Sequence, residues 1–134
     1  MDLTGVIPHL VVRGAAGEVE FLKKAFGAVE VMRHPAPDGE RLMHVHLNIN
    51  GGNVFLCDDF PEYCGGTSRI PPKDGTTPVT LHMVVPDVDA VYKRAIDAGG
   101  KGVMPPEDMF WGDRYAKVLD PFGHEWSIST PIKK

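Results

Sequence analysis

The chain has 134 residues, enough for one ordinary domain with a real core or for two small, intimate modules. Its 43% hydrophobic and 24% charged content is that of a water-soluble globular protein, and a formal net charge of −4 argues against nucleic acid as a partner. No run approaches the about eighteen apolar residues of a membrane span, and two cysteines are too few for a disulfide framework, so the expected setting is the reducing cytoplasm.

Gly5 to Arg13 reads as a strand, and Ala15 to Phe26 as a helix with Val19, Leu22, Ala25 and Phe26 at turn spacing and Gly27 as its stop. Ala28 to His34 is a short strand ending at the turn signal Pro35-Ala36-Pro37-Asp38-Gly39. Arg41 to Asn50 alternates well, with Met43, Val45, Leu47 and Ile49 on one face and His44, His46, Asn48 and Asn50 on the other. Gly51-Gly52 is the expected hairpin turn, and Val54 to Asp58 is the returning strand.

Phe60 to Pro78 is rich in proline and glycine and has no period. It reads either as a solvated connector or as a flap anchored by Phe60, Tyr63 and Ile70. Val79 to Val85 is the next strand, and Asp87 to Ala98 a helix with Asp87 as N-cap and Gly99-Gly100 as its end. Lys101 to Met104 starts a strand that Pro105-Pro106 is expected to interrupt. Arg114 to Leu119 and Trp126 to Thr130 form a final hairpin through Asp120-Pro121-Phe122-Gly123, and the tail Pro131 to Lys134 reads as frayed.

This order occurs twice. His9-Leu10-Val11-Val12 lies over His82-Met83-Val84-Val85; at the closing hairpins Gly51 lies over Gly123, Val54 over Trp126 and Leu56 over Ile128. The chain therefore reads as one domain over 1–134, with module one at about 5–58, a linker at 59–78 and module two at about 79–130. A soluble half-open sheet of this size is expected to pair as a homodimer.

Paired strand–helix–three-strand modules with the Asp-Pro-Phe-Gly-His-Glu-Trp turn at 120–126, preceded by Phe-Trp-Gly-Asp-Arg-Tyr at 110–115, resemble the vicinal oxygen chelate superfamily. That group holds glyoxalase I, bleomycin-resistance proteins and extradiol dioxygenases, and the two motifs are most similar to its PhnB-like branch. The resemblance implies an α+β fold of two βαβββ modules forming a curved, U-shaped mixed sheet with helices outside. It also implies a cleft for a small oxygenated molecule and single-domain members that pair as dimers.

In the family's metalloenzymes the first and last strand of each module supply ligands to one divalent ion. Carried over, the first-strand positions are His9 and His82, and the last-strand carboxylate positions fall at Phe55 and Ser127. Two imidazoles without a carboxylate are a thin shell for zinc, manganese, nickel or iron, although His44 and His46 share a face and offer a substitute. Phe55, Trp111, Arg114, Ser127, His44 and His46 are the expected substrate-binding residues. Arg114 either pins an anionic or carbonyl group or bridges to Asp113 or Glu107. Two functions follow: metal-assisted lyase, isomerase or oxygenase-type chemistry, or metal-free sequestration of a ligand of the bleomycin-resistance kind.

Overall fold

A computed structural model describes residues 3–132. Two helices and eight strands alternate as β1 (His9–Val12), α1 (Ala15–Phe26), β2 (Val29–Pro35), β3 (Leu42–Ile49), β4 (Gly52–Asp58), β5 (Thr80–Val84), α2 (Val88–Asp97), β6 (Lys101–Asp108), β7 (Asp113–Leu119) and β8 (Glu125–Pro131). The strands form two four-stranded mixed sheets with the same internal order, β1-β4-β3-β2 and β5-β8-β7-β6. In each, the first strand runs parallel to the last, and the other pairs are antiparallel. No helix of the described residues is long and apolar enough to cross a membrane.

Alternation sets the faces. Val45, Leu47 and Ile49 of β3, with Val54 and Leu56 of β4, are buried beneath α1, whose Val19, Leu22 and Ala25 are also buried. That cluster continues into the second half through Ala95, Val118 and Trp126, so one core spans both sheets. Phe26 meets Trp126 at 5.1 Å between ring centroids. Phe122, from the β7–β8 turn, packs onto α1 where Gly14 and Gly17 leave room: a Cβ at Gly17 would lie 2.8 Å from its ring.

Each helix is anchored by a carboxylate. Asp87 accepts the Ala90 N–H as the N-cap of α2. At α1 the cap position is Gly14, and the acceptor comes from β4: Asp58 takes the N–H groups of Gly14 (2.7 Å) and Ala15 (2.9 Å), while its second oxygen takes that of Leu42 (2.7 Å). One buried side chain thus fastens helix, strand and sheet edge together.

Two local expectations are corrected. The β3–β4 turn is Asn50-Gly51 rather than Gly51-Gly52. Both residues have positive φ (52° and 84°), the type I′ geometry that suits the twist of a two-residue hairpin. Pro105-Pro106 does not interrupt its strand. β6 runs through the pair because it is an edge strand with β7 as its one neighbour, and its register shifts between Met104 and Glu107. Pro131 closes β8, and Lys133 and Lys134 of the expected frayed tail lie outside the described residues.

The 59–78 segment holds one short 3₁₀ turn, Pro61–Tyr63. Its start is pinned: Phe60 is buried under the Arg41 guanidinium, which also bridges to Asp38 and Glu62, and Asp59 holds Ser68 and the Arg69 N–H.

Candidate functional site

The faces turned away from the helices carry the polar and aromatic side chains, and the strand register aligns them in rows. On the first sheet, His9 pairs with Phe55, Phe55 with His46, and His46 with Met32. On the second, His82 pairs with Ser127, Ser127 with Lys117, and Lys117 with Met104. The two rows are the same row of the repeat. His9 corresponds to His82, Phe55 to Ser127, and His46 to Lys117.

On the first sheet, imidazoles surround a phenyl ring. His44, His46 and His9 meet Phe55 edge-to-face at centroid distances of 4.7, 5.1 and 6.1 Å. His34, opposite His44 on β2, stacks on it at 6.3 Å, and His9 lies 6.2 Å from His44 on the other side. His46 is buried, with Nε2 2.9 Å from Oδ1 of Asn53. Burial pushes the His44 imidazole below its usual value, and the neighbouring His9, His34 and His46 push it the same way. Cys57 lies two residues on from Phe55 on the same face; it is half-buried, and burial raises its thiol. Sequence reasoning missed His34, because only the β2–β3 register sets it opposite His44.

On the second sheet, the His82 ring is held from two sides. Nδ1 lies 2.7 Å from Ser127 Oγ and Nε2 3.1 Å from Ser129 Oγ. Both serines are buried. Tyr115 stacks on His82 at 6.0 Å, Trp111 stands edge-on to Tyr115 at 5.8 Å, and Phe110 edge-on to Trp111 at 5.1 Å. This aromatic ladder ends in Phe110, which is 97% exposed. Lys117 pairs with Glu125 at 3.3 Å. Ser129 escaped the sequence reading, since its tie to His82 depends on the parallel β5–β8 register.

Arg114 is turned elsewhere. Its guanidinium forks onto Asp89 of α2 (2.7 and 3.0 Å) and reaches Asp108 (3.0 Å), so its partners are neither Asp113 nor Glu107. His124 holds the β7–β8 turn onto β1 through Val11 O at 3.0 Å.

The His9 and His82 groups share no ring contact or hydrogen bond with each other among the described residues. A groove of about 460 Å³, lined by Pro8, Asn53, Val54, Leu81, His82 and Trp126 among others, runs between the edges of the two sheets.

The donor set does not fit a divalent ion held as in the family's metalloenzymes. A phenyl ring stands at one ligand position and a buried serine at another. Both His82 nitrogens already have hydroxyl partners, so coordination would displace one. Among the described residues no three His, Cys, Asp or Glu side chains are grouped so as to hold one metal ion.

The missed feature of greatest consequence lies in the core. Glu18 of α1 is wholly buried, and no donor reaches either of its oxygens. Its neighbour is Asp120, whose oxygens accept from the Phe122 and His124 N–H groups and from Trp126 Nε1. Glu18 therefore carries a proton. Burial first, and then the charge of Asp120, push its pKa up to about 10.

Comparison with known proteins agrees with this architecture. Two uncharacterized mycobacterial proteins, from Mycobacterium bovis and Mycobacterium tuberculosis, are each 53% identical over 127 residues; the match covers 95% of this chain and 83% and 74% of theirs. Among solved structures, TioX from Micromonospora sp. ML1 superposes with a TM-score of 0.71 at 25% identity, covering 98% of both chains. An Arabidopsis thaliana gene product does so with 0.73 at 29%, covering 96% of this chain and 99% of that one. The fosfomycin resistance protein FosX of Mesorhizobium loti shares the fold at 16% identity, with a TM-score of 0.66 and coverage of 97% and 93%. The sequence pattern of one family runs from residue 6 to residue 128, and the chain belongs to that family, the glyoxalase/bleomycin resistance protein/dioxygenase superfamily.

Proposed function

We propose that the chain is a small-molecule-binding member of this superfamily whose cleft works without a metal ion. The observation that carries the reading is the His82 imidazole between the Ser127 and Ser129 hydroxyls, in the row where the family's metalloenzymes set a ligand. Phe55 at the repeat-related position supports it. Aromatic walls, Phe55 on one sheet and Tyr115 with Trp111 on the other, supply affinity for a flat ligand, and the imidazoles and serines supply its orientation. His9, His44, His46, Phe55, Trp111 and Ser127 are the binding residues in this reading, and Arg114 positions α2 against the second sheet.

A second copy completes the cleft in this reading. The two open faces are repeat-related, yet among the described residues their rings share no contact, and Met32 and Val84 on them stay exposed at 41% and 55%. Pairing the first sheet of one copy with the second sheet of another would close both faces. Light scattering at micromolar concentration should return twice the chain mass, and a monomer mass would count against the assembly.

Metal analysis of untagged protein tests the main reading. No stoichiometric zinc, manganese, nickel or iron should survive dialysis, and Phe55→Ala should lose ligand affinity. A retained equivalent of metal that disappears in His82→Ala would restore the metalloenzyme reading.

A further inference from the structure

The chemistry of the first-sheet face narrows the ligand, and the argument rests on the cleft reading above. Three of the six histidines are committed to partners: His46 to Asn53, His82 to Ser127 and Ser129, and His124 to Val11. His9, His34 and His44 have no hydrogen-bond partner among the described residues, and they lie side by side across β1, β3 and β2. Two of these uncommitted imidazoles, His9 and His44, flank the Phe55 ring and His34 stacks on His44, a donor-rich surface with an apolar floor.

We infer that this face binds a planar aromatic carboxylate, with its ring on Phe55 and its carboxylate taken by the imidazoles of His9 and His44. The acids nearest in the chain are already committed: Glu30 is tied to Lys23 and Arg33, Asp58 is buried holding the α1 N-terminus and Leu42, and Asp59 holds Ser68 and the Arg69 N–H. Burial, and after it the imidazoles of His9, His34 and His46, lower the His44 pKa and so disfavour its charged form. Cys57, from β4, shares the face as a raised, neutral thiol. A bound carboxylate reverses this balance. It favours the imidazolium form, so binding takes up a proton and strengthens as pH falls. A metal ion is the poorer occupant, because the three rings do not form a ligand group among the described residues.

Three isosteric probes test the assignment: naphthoate, naphthylmethanol and naphthylmethylammonium, titrated calorimetrically into the untagged full chain at about pH 6 and about pH 8. Naphthoate should bind roughly tenfold tighter than the alcohol at the lower pH, with much of that advantage lost at the higher one. Titration in two buffers of different ionisation enthalpy should register proton uptake on naphthoate binding. The double variant His9→Gln/His44→Gln should remove the naphthoate preference, bringing naphthoate and the alcohol to the same affinity. If that variant fails to fold, proton uptake by the wild type decides.

Ammonium probe binding as tight as naphthoate, or a naphthoate preference that neither pH nor the double variant alters, would overturn the carboxylate assignment. Equal binding of alcohol and naphthoate would overturn it too, while leaving the aromatic cleft standing. Failure of all three probes to bind would remove the cleft reading as well.

Discussion

Nδ1 of His82 lies 2.7 Å from Oγ of Ser127, and the same ring reaches Ser129 through its other nitrogen. A neutral imidazole has one donor and one acceptor nitrogen, so the trio is satisfied without a charge and without an ion. The first-strand position that the resemblance offered as a metal ligand has both of its nitrogens engaged by hydroxyls.

Both serines are buried but His82 is exposed, so His82→Ala exchanges two ring hydrogen bonds for contacts with water. Urea unfolding should show a loss of about 0.5–1.5 kcal/mol. His82→Gln, which keeps a donor and an acceptor, should lose less. Equal stability of wild type and His82→Ala would mean that the imidazole is not holding the serines.

Glu18 makes stability depend on pH. Its unfolded pKa is near 4.5 and its folded value about 10, so the folded state holds the proton more tightly. Below pH 4.5 both states are protonated and the group is neutral in the balance. Above it the unfolded chain releases the proton, and stability falls by roughly 1.4 kcal/mol per pH unit until the folded pKa is reached. Glu18→Gln removes that slope and keeps the size of the side chain. Urea titrations should find the variant close to wild type at about pH 5 and more stable by a few kcal/mol at about pH 8. A variant less stable at both would show that the carboxyl itself is needed.

Gly100 marks a tight point between α2 and the second sheet. A Cβ there would meet Val118 Cγ1 at 2.8 Å, the Ala95 carbonyl oxygen at 2.9 Å and the Phe21 ring at 3.3 Å. The carbonyl is backbone and has little room to yield. Gly100→Ala should therefore cost about 1–3 kcal/mol in thermal or urea unfolding, whereas Gly39→Ala, with open space around it, should suffer only from its positive φ.

What could be read from the sequence follows from what is local. The β3 faces were legible because Val45, Leu47 and Ile49 alternate with polar residues, although Met43, expected on the same apolar face, is exposed; the α2 start was legible because Asp87 has the chemistry of a cap. The row equivalence of His9 with His82 was visible in the repeat. Arg114 was different. Its partners Asp89 and Asp108 are set by the packing of α2 beside β7, whereas Asp113 and Glu107 were merely near in sequence. Nothing local in the sequence marks Glu18 for burial, and its neighbour Asp120 comes from the second half of the chain. Pro105-Pro106 misled because the rule against proline in strands holds for ladders on both sides, and β6 has one.

The most direct test of the metal-free cleft is a titration of naphthoate into untagged protein before and after exhaustive chelation. The account predicts the same affinity in both samples, and no change on adding back zinc, manganese, nickel or iron. Binding abolished by the chelator and restored by one equivalent of metal would contradict it.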